Sequence, residues 1–289
     1  MRRFLPSFLL VVSALTCVAQ ERVQDLIYHK EGGVAFTMDE FKPAKPNGIA
    51  VLWLISGGWF SDHKNITPLY AKPFTNAGIT VFEVVHGSQP RYKIHEIQRQ
   101  ISRAVRYVRA NAATFRIDPN RIGIAGGSAG GHLSLMAAGT GDDGDVKSPD
   151  LVERVSSRVQ SVVALFPPVD FLNFGGPDRV PINQAGLSVF KPAFGVDPAD
   201  PRETILKYLK EISPIYRVTP AFPPTLLIHG DKDFLVPLEQ SQKFDAALST
   251  NNVQRRLIVV HGAGHGGAAF LPYFKDMAEW FLTTLPAKK

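Results

Sequence analysis

Cysteine is almost absent from this sequence of 289 residues, which contains Cys17 and no other cysteine. Cys17 follows a charged N-terminus and a short apolar stretch at residues 8–15, an order that is typical of an export signal cleaved near Ala19. Cleavage would leave a mature chain without cysteine, which excludes disulfide bonds and a thiol nucleophile. We therefore expect residues 1–19 to be a signal peptide and the protein to be exported, to the periplasm or the extracellular space.

The same apolar stretch is too short to cross a bilayer, so we expect no membrane span after cleavage. Two alternatives stay open: lipid attachment at Cys17, and retention of the segment as an N-terminal anchor.

Runs of like charge are also missing, although 32 Lys and Arg residues against 26 acidic residues give a net charge of +6. Scattered basic residues indicate a solvated surface, so no nucleic-acid partner is expected. The histidines and carboxylates show no H-E-x-x-H or similar spacing, and we expect neither a metal nor a cofactor. With 45% hydrophobic and 20% charged residues, residues 20–289 are expected to form one globular domain.

A glycine-rich segment at residues 126–131 reads G-x-S-x-G and has Ser128 at its centre. An apolar stretch at residues 121–125 predicts a strand before it, and residues 132–138 predict a helix after it. Strand, tight turn and helix with a serine at the apex are typical of a nucleophile elbow. The alternative is an ordinary glycine-rich turn.

The remaining pattern alternates between predicted strands and helices. Strands are predicted at residues 23–28, 34–38, 49–55, 79–85, 159–166, 225–228 and 256–260, and helices at residues 69–77, 94–113, 202–209, 238–248 and 273–285. This alternation predicts an α/β fold: a mostly parallel central sheet with helices on both faces, opened by an antiparallel hairpin. Residues 171–220 show little periodicity and are predicted to form an inserted cap or lid.

A serine hydroxyl needs a base within hydrogen-bond reach, and the base needs an acid to orient it. Asp231 and Asp233 both follow the predicted strand at residues 225–228, and Asp170 is a more distant candidate whose alternative role is to cap a loop. The base candidates, His261 and His265, both follow the last predicted strand. Three other histidines, which we interpret as structural, are His86, His132 and His229.

Three segments together resemble a known family. They are residues 117–122 leading into residues 127–132, the motif H-G-x-x-D-x-x-V-P at residues 229–237, and G-x-G-H-G at residues 262–266. In this order they resemble α/β-hydrolases of the esterase/lipase type, close to the bacterial acetyl-esterase and feruloyl-esterase-like group. The resemblance implies the α/β-hydrolase fold, with Asp233 as the acid, His265 as the base and Asp231 as a turn residue.

The resemblance also implies an oxyanion hole, which needs backbone N–H donors. The expected donors are Gly57 and Gly58, after a buried strand, and Ala129, after the nucleophile. Here the sequence departs from the family, because Ile55 and Ser56 replace the first two residues of the usual H-G-G-G-W. The aromatic pair that follows, Trp59 and Phe60, is expected to line the substrate pocket, with core packing as the alternative.

These observations predict a secreted serine esterase that works through an acyl-enzyme. The resemblance implies that its substrates are small-molecule or polysaccharide esters with short-chain acyl or acetyl groups. A peptidase of the prolyl-oligopeptidase type is an alternative, although there is no room for the N-terminal propeller of that family. A non-catalytic binding protein on a hydrolase scaffold is another.

Overall fold

The computed structural model describes residues 21–181, 189–197 and 199–287. The expected signal peptide at residues 1–19, with Cys17, lies outside the described residues, as do parts of the expected cap. Within the described ranges, no helix has both the length and the apolar character that crossing a membrane requires.

The described residues contain one sheet of eight strands. The strands are β1 (Glu21–Glu31), β2 (Val34–Lys42), β3 (Ala50–Ile55), β4 (Thr80–Val85), β5 (Ile122–Gly127), β6 (Ser161–Leu165), β7 (Thr225–Gly230) and β8 (Arg255–Val260). Their order across the sheet is β1-β2-β4-β3-β5-β6-β7-β8. The pairs β1–β2 and β2–β4 are antiparallel, and all the others are parallel.

Helices cover both faces of this sheet. They are α1 (Pro68–Asn76), α2 (Ile94–Ala110), α3 (Ala112–Phe115), α4 (Ala129–Thr140), α5 (Lys191–Phe194), α6 (Arg202–Glu211), α7 (Glu239–Thr250) and α8 (Phe274–Thr284). Alternate residues of β3 point to opposite faces, so Leu52 packs in the apolar cluster with α2 and α4, and Trp53 in the cluster with α1 and α8. All six residues of β3 are buried, as a parallel strand covered on both faces requires. The predicted α/β-hydrolase fold, a mostly parallel sheet with an antiparallel start, is confirmed.

Two predicted elements differ from the structure. The opening hairpin is longer than predicted because β2 pairs with β4 as well as with β1, and this pairing carries Asp39 and Glu40 into the sheet as buried residues. The helix predicted at residues 94–113 is interrupted at Asn111, which separates α2 from the short α3.

Residues 171–220, expected to form a cap, contain two helices in their described part, α5 and α6, where one was predicted. Side chains from this segment, including Phe171 and Phe194, are buried in the same apolar cluster as α2 and α4. The described part of the segment therefore contributes side chains to the core on this face of the sheet.

Candidate active site

Ser128 lies in a sharp turn between β5 and α4. Its backbone angles are φ 54° and ψ −119°, in a region that side-chain-bearing residues rarely adopt. The turn is held by the Ser128 N–H, which donates to the carbonyl of Leu165 on the neighbouring strand at 2.9 Å. A strained residue held firmly by its surroundings is a common feature of functional sites.

The glycines of the elbow are required by close backbone packing. A Cβ atom on Gly126 would lie 2.6 Å from the carbonyl carbon of Gly130, and a Cβ on Gly130 would lie 2.9 Å from the carbonyl oxygen of Leu54. Both obstacles are backbone atoms, which cannot move aside without displacing β3 or α4.

The imidazole of His265 connects Ser128 to Asp233. Its Nε2 atom lies 2.9 Å from the Ser128 hydroxyl oxygen, and its Nδ1 atom lies 2.7 Å from a carboxylate oxygen of Asp233. The three side chains follow β5, β7 and β8, whose carboxyl ends share one edge of the parallel sheet. The structure thus brings together three residues that the sequence analysis had singled out.

The carboxylate of Asp233 is buried and surrounded by donors. One oxygen accepts the backbone N–H groups of Leu235 and Val236, each at 2.9 Å, and the other lies 3.3 Å from Nε2 of His229. Burial alone would raise the pKa of Asp233, but the hydrogen bonds from His229, His265 and the Val236 amide outweigh it and hold the pKa well below its usual range. The carboxylate stays ionised, so it can hold the Nδ1–H of His265 and leave Nε2 as an acceptor.

A second His–Asp pair lies beside the first and does not reach Ser128. Nδ1 of His261 is 2.9 Å from a carboxylate oxygen of Asp231, and the other Asp231 oxygen accepts the N–H of Gly262 at 2.7 Å. The His261 ring is 87% exposed. Asp231 therefore stabilises the turn after β8 through its hydrogen bonds with His261 and Gly262. Ser128 is hydrogen-bonded to the other pair, His265 and Asp233.

The three histidines that were interpreted as structural are buried. His132 is buried and its ring bonds to the carbonyl of Ile212 at 2.7 Å and to the indole N–H of Trp59 at 3.2 Å; burial lowers the pKa of its imidazole to about 4. His229 bonds to the Ser241 hydroxyl. Burial likewise lowers the pKa of His86 to about 4.

Asp170 caps the loop that follows β6. One of its carboxylate oxygens accepts the N–H groups of Leu172 and Asn173 at 3.1 and 3.2 Å. This is the alternative that the sequence left open for Asp170.

The loop after β3 corrects one expected oxyanion-hole donor. The N–H of Gly57 donates to the carbonyl of Phe60 at 2.9 Å, in a two-residue antiparallel bridge, and is not available to a substrate. The amides of Gly58 and Ala129 bond to no acceptor among the described residues. Ala129 is the first residue of α4, where N–H groups have no partner within the helix. The available donor pair is therefore Gly58 and Ala129.

The loop after β3, residues 56–61, is called the oxyanion loop here. It is stabilised by hydrogen bonds from residues of the loop after β4, which sequence reasoning missed. The carboxamide of buried Gln89 donates to the carbonyl of Gly58 at 2.7 Å, and its backbone N–H donates to the carbonyl of Trp59 at 3.2 Å. Within the loop after β3 itself, the Ser61 hydroxyl donates to the carbonyl of Ile55 at 2.5 Å, and the Ser61 N–H donates to the hydroxyl of Ser88, which follows β4, at 2.9 Å. The available signal was the polar segment after the strand at residues 79–85, since β4 lies beside β3.

Two cavities adjoin Ser128. The smaller, the aromatic cavity, has a volume of about 30 Å³ and is lined by Gly58, Trp59, Ala129, Pro168, Phe171, Phe174, Pro181, Phe190, Phe194, Leu235 and Val236. The larger, the open cavity, has a volume of about 580 Å³, and its lining includes Ser56, Asn65, Tyr70, Phe166, Gly266, Gly267 and Leu271.

The expected aromatic pair divides between the pocket and the surface. Trp59 is 4% exposed and lines the aromatic cavity. Phe60 is 46% exposed and lies outside the described lining of both cavities, which corrects the expectation for this residue. Phe60 forms an antiparallel bridge with Gly57, and the turn that this bridge closes leaves the Phe60 side chain at the surface.

One group of described residues has ligand atoms close enough to hold a metal ion: Asp25, Asp39 and His63. Asp25 and Asp39 lie on the opening hairpin and His63 follows β3, and the guanidinium of Arg22 already bonds to Asp39 at 2.6 Å. None of its members belongs to the Ser128 site.

Fold and site together define an α/β-hydrolase of the esterase group. The BD-FAE family model matches residues 38–248, and the chain belongs to the BD-FAE family. It is 29% identical to esterase LipC of Mycobacterium tuberculosis over 231 residues, which are 78% of this chain and 54% of the relative. The chain thus spans about half the length of the curated relatives it matches.

Solved structures of two relatives superpose over most of the chain. A truncated form of a carbohydrate esterase from gut microbiota has a TM-score of 0.78 and 29% identity, covering 91% of this chain and 96% of its own. An acetyl ester-xyloside bifunctional hydrolase from Caldicellulosiruptor lactoaceticus has a TM-score of 0.74 and 25% identity, covering 90% of this chain and 96% of its own.

Proposed function

We propose that this protein is a carboxylic ester hydrolase that uses Ser128 as its nucleophile and forms an acyl-enzyme. The observation that carries the proposal is the continuous hydrogen-bonded series Asp233–His265–Ser128, with contacts of 2.7 and 2.9 Å. An ionised acid, an oriented imidazole and a serine in a strained turn are the parts that nucleophilic catalysis at a carbonyl requires.

In acylation, Nε2 of His265 accepts the Ser128 proton while Oγ bonds to the carbonyl carbon of the ester. The carbonyl oxygen becomes an oxyanion, which the amides of Gly58 and Ala129 stabilise by hydrogen bonds. When the intermediate collapses, the carbon–oxygen bond to the alcohol breaks and His265 returns its proton to the departing alcohol. Asp233 stabilises the positive charge on the imidazole throughout.

In deacylation, a water molecule takes the place of the alcohol. His265 accepts one water proton, the hydroxyl adds to the acyl carbon, and a second oxyanion forms at Gly58 and Ala129. Its collapse breaks the bond to Ser128 Oγ, which recovers a proton from His265, and the carboxylic acid leaves.

The proposed substrates are acetyl or other short-chain acyl esters, including esters of polysaccharides. The relatives named as a carbohydrate esterase and as an acetyl ester-xyloside hydrolase support this choice. Export after removal of residues 1–19, and a capping role for residues 171–220, belong to the same proposal.

The test compares the protein with Ser128→Ala, using 4-nitrophenyl acetate and a fluorophosphonate probe that reacts only with an activated hydroxyl. Ser128→Ala is expected to lower kcat by about 10⁴-fold or more and to abolish labelling, because loss of the nucleophile leaves only the oxyanion hole and binding. The matched control is Ser134→Ala in α4, since the buried Ser134 hydroxyl donates to the carbonyl of Gly130 at 2.8 Å. Equal rates for wild type and Ser128→Ala would reject the proposal, and an unlabelled wild type would favour a binding protein.

A further inference from the structure

We propose that the two cavities divide the ester between them: the acyl group enters the aromatic cavity and the alcohol occupies the open cavity. This inference rests on the proposed function. Within the substrate class proposed above, it assigns selectivity for the acyl group to the aromatic cavity and selectivity for the alcohol to the open cavity.

The proton path fixes the side on which the alcohol lies. His265 must return its proton to the departing alcohol oxygen, so the alcohol has to lie on the His265 side of Ser128. Gly266 and Gly267 follow His265 directly and line the open cavity. Phe166, also in that lining, packs edge-on against the imidazole with ring centres 4.7 Å apart.

The positions of the oxyanion donors determine where the acyl group lies. Gly58 and Ala129, whose amides are free to bond the carbonyl oxygen, both line the aromatic cavity. With the oxygen held there and the alcohol directed toward Gly266, the remaining substituent of the acyl carbon points into the aromatic cavity. The wall of that cavity, as far as it is described, carries no charged side chain, which disfavours acyl groups with a free carboxylate.

Packed aromatic rings limit the length of the acyl group. Phe194 contacts Trp59 and Phe171 with ring centres 5.4 and 5.1 Å apart, and Phe190 contacts Trp59 at 5.9 Å. Phe190 also lies directly on the oxyanion loop, since a Cβ atom on Gly58 would be 2.5 Å from its ring. Phe190 therefore closes the cavity beside the oxyanion hole, and its ring determines how long an acyl chain can be accommodated.

The open cavity has the size and chemistry for a sugar-like alcohol. Its volume of about 580 Å³ greatly exceeds the volume of about 30 Å³ of the aromatic cavity. Its wall combines the half-buried ring of Tyr70, stacked on Trp53 at 5.3 Å, with the exposed amide of Asn65. An apolar ring beside hydrogen-bonding groups suits a pyranose, which has an apolar face and a rim of hydroxyls.

The experiment varies each half of the ester separately. One series holds the 4-nitrophenol leaving group and varies the acyl group from acetate to butanoate to octanoate. The other holds the acetyl group and compares ethyl acetate with an acetylated methyl xyloside. Each kcat/KM ratio is measured for wild type, for Phe190→Ala and for Tyr70→Ala, with Phe190→Leu and Asn65→Ala as milder variants.

Phe190→Ala is expected to raise the octanoate-to-acetate ratio by at least about tenfold, because a few methylenes in an apolar pocket discriminate by this much or more. It should leave the xyloside-to-ethyl ratio unchanged. Tyr70→Ala should do the reverse and lower the xyloside-to-ethyl ratio by roughly fivefold, the effect of one aromatic contact.

The assignment would be overturned if Phe190→Ala changed the xyloside-to-ethyl ratio and Tyr70→Ala changed the octanoate-to-acetate ratio. It would also be overturned if a folded variant changed neither ratio. Failure of the proposed function looks different, because the wild type would then hydrolyse no ester and the fluorophosphonate would not label it. The labelling rate of each variant shows whether its nucleophile is intact, so loss of folding is not mistaken for a change in specificity.

Discussion

Replacing Asp233 by asparagine tests the electrostatic core of the site with little change in shape. The side-chain oxygen of asparagine can still accept the N–H groups of Leu235 and Val236, which both bond the same carboxylate oxygen. The NH₂ group then faces Nδ1 of His265, where the other carboxylate oxygen now lies at 2.7 Å. Two donors cannot share that contact, so Nδ1 must lose its proton and Nε2 must carry one.

A protonated Nε2 points a donor at the Ser128 hydroxyl and cannot accept its proton. The expected loss is about 10⁴-fold in kcat, as for the same change in a serine protease triad, which corresponds to about 5 kcal/mol of transition-state stabilisation. The loss should appear in kcat with KM nearly unchanged, since Asp233 is buried and does not line either cavity in its described part.

The assay measures initial rates with 4-nitrophenyl acetate and pairs Asp233→Asn with Asp231→Asn. Asp231 lies two residues away and bonds the exposed His261, so its change should alter the rate by about twofold at most, in line with other surface substitutions. The reasoning is refuted if folded Asp233→Asn retains a tenth of the wild-type rate. Equal losses from the two variants would refute it as well.

Three further predictions concern the elements around the site. Gln89→Leu should lower kcat by about tenfold, less than the 10²-fold or more for loss of a donor itself, because Gln89 only orients the Gly58 peptide. Gly130→Ala should destabilise the fold by about 1–3 kcal/mol, because its Cβ would press on the Leu54 carbonyl; thermal unfolding measures this. Burial raises the pKa of Glu83 from 4.5 to about 8, so the folded protein keeps a proton that the unfolded chain releases, and stability should fall as pH rises between these values. Glu83→Gln should remove that fall, raising Tm relative to wild type at pH 9 but not at pH 5.

The first two of these predictions have matched control variants within the chain. Gln100→Leu removes another buried carboxamide, which accepts the N–H of Gly87 at 2.8 Å, and should cost stability without lowering kcat. Gly57→Ala adds a Cβ where no atom lies within 4 Å, so its Tm should stay near that of wild type. An unchanged kcat for Gln89→Leu, an unchanged Tm for Gly130→Ala, or a Glu83→Gln effect independent of pH would contradict the respective argument.

The buried strands were the most predictable part of the fold, because their residues need no knowledge of their neighbours. The apolar run at residues 49–55 predicts a strand whatever packs on it, and β3 occupies Ala50–Ile55. The far end of β2 could not be predicted in this way. Acidic residues are mostly exposed in proteins, but Asp39 and Glu40 are buried because β4, about forty residues later, pairs with them.

For the candidate site, local motifs predicted which side chains meet but not how the backbone is used. Ser128, Asp233 and His265 each lie in a short segment that specifies its own turn, and parallel strands bring those turns to one edge. The engagement of the Gly57 amide depends on the chain folding back to Phe60. The support from Gln89 depends on the adjacency of β3 and β4, which no single motif encodes.

The position of β8 has a consequence for how the protein loses activity in denaturant. Within the described sheet this strand is outermost, hydrogen-bonded to β7 alone, and its first residues are exposed to solvent. Edge elements open at lower free energy than the core, and the segment bearing the imidazole base comes directly after this one. Mild denaturant should therefore switch off turnover reversibly while the circular dichroism of the remaining sheet and helices is still intact.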